Sequence, residues 1–271
     1  MRSFRILPAV FAVLVAFVPP SSALAETLLI GGTGAATEAL RQLAPAFESE
    51  TGVRLEVVPS LGTSGANRAV ADGAIGISLA GRDLRESELA RGLIVAGIFR
   101  TPFGLVTSRP GPDNLALGDI AGLYGGSAPK WPDGTPVLIV LRPVDESDNQ
   151  VLGSLFPGTA DAIARARLRP DLTVAATDQD NADLAERTAG SLVGATLLQI
   201  ESEKRDLRFV AIDGVAPSLQ TYLNGTYPYG KTLYLVVAAD IGPEVAAFLS
   251  FVASPATEAL LRGAGVVMDR K

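Results

Sequence analysis

The chain has 271 residues and a formal net charge of −6, and it contains neither histidine nor cysteine. The first absence excludes Ser-His and Cys-His nucleophile pairs, His-ligated zinc and imidazole acid–base chemistry; the second excludes disulfides and thiolate metal sites. An acidic chain with no basic run also points away from nucleic acid, so any anion it binds must be held by local dipoles and a few fixed cations.

Residues 1–25 read as a secretory signal. Arg2 and Arg5 form a basic start, Val13 to Val18 belong to a short apolar core broken by Pro19-Pro20, and Ala23-Leu24-Ala25 fits a small-x-small cleavage site. The mature chain is then expected to begin at Glu26, with no cysteine before it for a lipid anchor. No later stretch is long and apolar enough to cross a membrane. The remainder suffices for one large or two modest domains.

Leu28-Leu29-Ile30 reads as a strand that runs into Gly31-Gly32-Thr33-Gly34. Leu40, Leu43 and Phe47 have helical spacing, closed by Thr51-Gly52, with Pro45 expected to kink that helix or reset its start. Val53, Leu55 and Val57 alternate as a second strand. It is followed by the turn Ser60 to Asn67 (SLGTSGAN) and a segment, Ala66 to Ala71, that can start a helix. Thr63, Ser64 and Gly65 thus sit where free amides and the helix dipole suit a small anion, or where Ser64 simply caps the helix. Parallel neighbouring strands would bring this turn and the Thr33-Gly34 turn to one sheet edge. Ile75 to Leu79 is the next strand and ends in Arg82-Asp83, which reads either as a forked cation with an acid to orient it or as an ordinary exposed pair.

Leu93 to Ile98 and Phe103 to Val106 continue the strands, and the Pro/Gly stretch Ser108 to Pro112 is the best hinge candidate. A short helix (Leu117 to Tyr124) and a loop with the lone Trp131 precede the apolar strand Val137 to Leu141. That strand ends in Arg142-Pro143-Val144-Asp145-Glu146-Ser147-Asp148-Asn149, in which Ser147 or Asp148 can cap a helix carrying Leu152, Leu155 and Phe156. Helical stretches follow at Thr159 to Leu168 and Ala182 to Thr188. Next come a short strand near Gly190 and Gly194, a strand at Phe209 to Ile212, and a helix near Ser218 to Leu223. Thr232 to Ala238 reads as a return crossing, and two final helices start at Pro243 and Pro255, where proline is tolerated in the first turn. The alternation of strands and helices predicts an α/β fold with parallel sheets.

Several passages, in order over nearly the whole mature chain, resemble the phosphate-binding proteins of bacterial ABC importers, a type II periplasmic binding protein family. They are AFESETGV, SLGTSGANRAVADG, LALGDIAGLYGGSAPKWPDG, VLIVLRP, IDGVAPSLQTYLNGTYPYGKTLYLVV and FLSFVASPATEALLRGAGVV. The resemblance implies a two-lobed clamp, each lobe a mostly parallel sheet flanked by helices, joined by a two-strand hinge. Lobe 1 would comprise residues 26–107 plus 231–271 and lobe 2 residues 108–230. It implies a periplasmic, monomeric, non-enzymatic protein without cofactor or metal, which passes a tetrahedral oxyanion, phosphate first, to an inner-membrane ABC permease. Carried over by position, the ligand-binding set is Thr33, Gly34, Thr63, Ser64, Gly65, Arg82, Asp83, Arg142, Ser147 and Asp148. Arg142 matches the family arginine of the second lobe, either bidentate to the oxyanion or holding an anion-facing acid.

The chain departs from that family in two places. A Gly-Ser-Gly-Thr turn usually follows the second-lobe arginine, and here Asp145 to Asn149 adds acids. Gly76 and Gly81 stand where an Asp and a Ser are usual. Carboxylates repel a dianion unless they are protonated or paired with a cation. A clamp retuned as a sensor or adaptor for a membrane receptor, with a different ligand, is therefore the alternative. A serine hydrolase using Ser64 would need a lysine base, and no Ser-x-x-Lys occurs at that turn.

Overall fold

The computed structural model describes residues 26–59, 61–111 and 113–269. The stretch 1–25 that reads as a secretory signal, Ser60 and Pro112 lie outside the described residues. Strands β1 (Thr27–Gly32), β2 (Arg54–Val57) and β3 (Ile77–Ala80) alternate with helices α1 (Thr37–Thr51) and α2 (Gly62–Ala71), and a short helix α3 (Glu86–Leu89) precedes the long strand β4 (Leu93–Thr107). Then come β5 (Asn114–Leu115), α4 (Ile120–Gly125), β6 (Leu138–Leu141), α5 (Ser147–Leu155), α6 (Thr159–Ala166), β7 (Thr173–Val174), α7 (Asp178–Arg187) and β8 (Ser191–Thr196). The chain closes with α8 (Leu197–Glu203), β9 (Arg208–Phe209), β10 (Ala211–Ile212), α9 (Leu219–Leu223), β11 (Gly230–Ala238), α10 (Pro243–Val252), α11 (Pro255–Gly263) and β12 (Val267–Met268).

The main sheet has the order β2-β1-β3-β11-β4-β8-β6-β7. Its outer pairs in each half are parallel, whereas β3-β11, β11-β4 and β4-β8 are antiparallel, so the sheet as a whole is mixed. Antiparallel pairing arises where two strands carry the chain between the halves in opposite directions. The first half of β4 pairs with β11 and its last residues, Phe103 to Val106, pair with β8. Its side chains follow suit: Phe99 enters one hydrophobic core with Ile30, Phe47 and Phe248, and Phe103 and Leu105 enter another with Tyr124, Trp131 and Phe156. The chain therefore changes cores inside β4, near Thr101-Pro102, ahead of the Ser108 to Pro112 stretch read as the hinge. A continuous strand makes this crossing because its ladder partners change while its backbone stays extended.

Two passages hold the second core against the crossing. Tyr227 is fully buried, donates its hydroxyl to the Phe103 carbonyl at 3.1 Å, and stacks edge-on with Tyr229. A side chain at Gly104 would come within 2.7 Å of that hydroxyl, so only glycine lets the ring sit there. Trp131 is 2% exposed and donates Nε1–H to the Gly190 carbonyl at 3.1 Å; burying a large apolar side chain of this kind contributes about 1.5–3 kcal/mol.

Pro45 neither kinks α1 into two nor resets its start, since the helix runs unbroken from Thr37 to Thr51. Pro45 is on the exposed face, where the carbonyl it leaves free meets water, and the opposite face buries Leu40, Leu43 and Phe47. Helix α8 has no counterpart in the sequence reading. It lies across both cores, with Leu198 in the first and Ile200 in a second-half cluster with Val106 and Val193.

Candidate functional site

The carboxyl ends of β1 and β3 and the starts of α5 and α7 face one another across the two halves. Thr33 follows β1, fixed by its N–H to the Leu79 carbonyl at 2.8 Å, and a 3-10 turn at Gly34–Ala36 then points the Ala35 N–H across the gap. Opposite, Thr177 caps α7 reciprocally with Asp180, which places Asp178 on the first helical residue. Asp178 is 4% exposed. Its Oδ2 accepts from Ala35 N–H at 2.8 Å and from Thr33 Oγ1 at 3.4 Å, and its Oδ1 accepts from Arg142 Nε at 3.1 Å. A carboxylate of the chain itself thus lies among the donors that the sequence reading assigned to an external oxyanion.

Arg142, at the end of β6, is 5% exposed. Besides Asp178 it donates to the Ala175 carbonyl at 2.7 Å and lies 3.5 Å from Glu146. Arg142 thus contacts two acids, Asp178 and Glu146. The turn that follows is tied down by Asn149, whose amide donates to the Arg142 and Pro143 carbonyls. Helix α5 begins at Ser147 without a side-chain cap, so neither Ser147 nor Asp148 serves as the expected cap. Asp148 instead pairs with Lys231 of β11, and Ser147 packs against Gly81. A Cβ on Gly81 would lie 2.6 Å from Ser147 Oγ, and one on Gly34 would lie 2.6 Å from Asp178 Oδ2. The glycines are what allow the two halves to approach this closely.

Around the second turn, α2 starts at Gly62, earlier than the sequence suggested, so Thr63, Ser64 and Gly65 are its first-turn residues. Ser64 is not the cap. Its hydroxyl accepts from Arg82 at 3.0 Å, and Thr63 Oγ1 accepts from the Gly81 N–H at 2.8 Å. The α2 N-terminus has no side-chain cap, and a Cβ on Gly62 would stand 3.8 Å from the Glu146 carboxylate.

Arg82 is not the free fork the sequence suggested. It grips Glu88 with two bonds of 2.8 Å, and Glu88 also accepts from Asn67, which Ser78 supports. Asp83 does not orient it through its carboxylate, which accepts from the Leu84 N–H; Arg82 meets only the Asp83 backbone carbonyl. The Arg82 fork holds the Glu88 carboxyl down to about 2, from an ordinary 4.5, against an opposing effect of burial. A carboxyl depressed in the folded state stabilises above its unfolded value and loses that stabilisation as pH falls through the folded value. Glu88→Gln is therefore expected to lower stability by about 1–2 kcal/mol at neutral pH. Urea unfolding midpoints should show this deficit shrinking between pH 4.5 and pH 2. A deficit that stays constant over that range would contradict the assignment.

The electrostatics of the gap follow from these pairs. Two buried cations, Arg142 and Lys231, face three acids, Glu146, Asp148 and Asp178. Burial pushes the Glu146 carboxyl up; Arg142 and Lys231 oppose that rise, and Asp178 and Asp148 add to it. Burial also raises Asp148, and the adjacent Lys231 ammonium pulls it back. Among the described residues, no group of three or more His, Cys, Asp or Glu is placed to hold a metal ion.

Sequence reasoning missed Asp178, Glu88 and Lys231. For Lys231 a clue existed. It alternates with Leu233 and Leu235 on the buried face of β11, where a lysine requires an acid partner. For Asp178 the clue was Thr177-Asp178-Gln179-Asp180, a capping-box spacing that starts the helix four residues before Ala182.

A mixed sheet crossed by two hinge strands, with strand-end turns meeting over a gap, defines a two-lobed α/β clamp of the binding-protein class. The chain belongs to the PBP superfamily domain family, whose model matches residues 18–256. Among solved structures, it is similar to a Clostridium perfringens protein described as a phosphate ABC transporter substrate-binding protein with bound phosphate. That match has a TM-score of 0.77 and 16% identity, over 90% of this chain and 100% of that one. An ABC-type phosphate transport receptor from Vibrio cholerae aligns with a TM-score of 0.61 and 16% identity, over 89% of this chain and 100% of that one. The CcmR regulatory domain of Synechocystis, in complex with 2-PG, aligns with a TM-score of 0.56 and 13% identity, over 84% of this chain and 95% of that one. At such identities these likenesses are likenesses of fold. No curated protein sequence matches the chain.

Proposed function

We propose that this protein is a periplasmic solute-binding protein that captures a small tetrahedral oxyanion, phosphate first, between its lobes for delivery to an ABC permease. One observation carries the reading: a hydroxyl, a backbone N–H and a buried guanidinium, contributed by both halves, converge on a single oxyanionic group, the Asp178 carboxylate. Those donors are the kind that hold a phosphate, and a fixed arginine fork adds the charge that the acidic surface lacks. The proposed seat consists of Thr33, Gly34 and Ala35 with Arg142, flanked by Thr63, Ser64, Gly65, Ser147 and Asp148. Arg82 and Asp83 leave the set, because Arg82 is committed to Glu88. The lobes divide near Pro102 in β4 and near Gly230 at the start of β11, in a monomer that binds without catalysis.

Calorimetric titration of the anion-stripped protein with phosphate, arsenate, sulfate, molybdate and tungstate tests this. Binding of at least one, with phosphate strongest, is the expected result; heat from none of the five would overturn it. A sensor role with a different ligand is the second reading. It is favoured by the three acids in the gap and by the regulatory domains among the similar folds. Ligand-dependent association with a membrane receptor, in place of a permease, would mark it.

A further inference from the structure

Three features of the first half that suit an anion are each met by a carboxylate from the second. The Thr33 hydroxyl and Ala35 N–H meet Asp178, the uncapped start of α2 faces Glu146, and Lys231 meets Asp148. Neutral contacts run alongside. Gln179 donates to the Gly34 carbonyl at 2.9 Å, Gln42 donates to the Ser202 carbonyl at 2.8 Å, and Leu198 of α8 sits in the first core. The gap is narrow enough that Gly34 and Gly81 admit no β-carbon beside Asp178 and Ser147.

We propose that Asp178 is a built-in occupant of the oxyanion seat, which closes the clamp without a ligand and sets anion selectivity by competing for Arg142, Thr33 and the Ala35 N–H. An external anion then enters only when Asp178 swings out, and its apparent affinity is lowered by the fraction of molecules in which the seat is free. A dianion added beside Asp178, Asp148 and Glu146 would face three acids with two cations, so displacement rather than simple addition is the route of entry. The alternative role for Asp178 is to orient Arg142 toward a ligand, and it predicts the opposite outcome. This proposal rests on the oxyanion reading above only for the identity of the competitor.

The chain has no cysteine of its own, so single spin labels can be attached at Glu86→Cys and Asp161→Cys, one on each side of the gap, and their separation measured by pulsed electron resonance. In anion-free buffer the labelled protein is expected to give one short distance, which inorganic phosphate does not shorten further. Asp178→Ala is expected to lengthen the anion-free distance, to restore shortening on adding phosphate, and to bind phosphate about 10- to 100-fold more tightly than the parent protein. Asp178→Asn keeps the shape, removes the charge and is expected to fall between the two, so an unstable alanine variant does not end the test. A long anion-free distance in the parent protein, or weaker phosphate binding in Asp178→Asn, would overturn the proposal. If no variant binds any oxyanion while the anion-free distance is still short in the parent protein and long in Asp178→Ala, the oxyanion reading fails and the self-closed clamp stands.

Discussion

Arg142→Met is expected to abolish anion binding and to lower folding stability by about 3–5 kcal/mol, the cost of breaking a buried ion pair from one side. The guanidinium bridges Asp178, the Ala175 carbonyl and Glu146, all within 3.5 Å. Methionine fills much of the volume but leaves the Asp178 carboxylate, 4% exposed, facing only the hydroxyl and amide of the first half. Arg142→Lys separates the two effects. It keeps a charge, and with it most of the stability, but a point ammonium cannot reproduce the fork, so anion affinity should fall about 10- to 100-fold. Denaturant midpoints and calorimetry on the two variants check this, and methionine-variant binding equal to that of the parent protein would remove Arg142 from the seat.

Lys231→Met should be comparably costly, again about 3–5 kcal/mol, because Asp148 is left buried without its partner. Lys231 is 1% exposed and Asp148 is 5% exposed. The double variant Lys231→Met with Asp148→Leu is the informative one. Replacing a buried pair by apolar groups of similar size is often neutral or stabilising, so it should recover to within about 1 kcal/mol of the parent protein. The pH dependence has a definite sign. In the single variant, Asp148 loses the ammonium that held it down, while burial continues to push it up. An acid raised in the folded state binds its proton more tightly there than in the unfolded chain, so stability rises as pH falls through that raised value. The deficit of Lys231→Met should therefore narrow on acidification. Equal costs for the single and double variants, or a deficit that widens in acid, would contradict the pairing.

These two cations illustrate how differently a site can be read from residues. Arg142 was visible because it follows an apolar strand and matches the family arginine of the second lobe. Lys231 was passed over because the apolar return crossing was read from Thr232 to Ala238, one residue past it. Arg82 was legible as a strand-end cation but misread in role. Glu88 captures it from α3, and nothing in the local sequence says that this short helix folds back against α2, whose Asn67 also bonds Glu88. Asp178 is the furthest from Thr33 in sequence among the groups that touch it, and only the docking of one half on the other brings them together.

Within the chain by itself, periodicity determined the α/β class and the strands that carry the turns, and composition excluded histidine and cysteine chemistry. Those properties are local or compositional: they follow from side-chain spacing over one element, or from a residue type that is missing. The tertiary structure alone decided where the chain crosses between cores, which carboxylate faces which cation, and that Asp178 meets Thr33, Ala35 and Arg142. Such facts depend on contacts between residues far apart in sequence. The free energy of a buried charge is set by the groups that surround it, and no local pattern records which partner folding will bring.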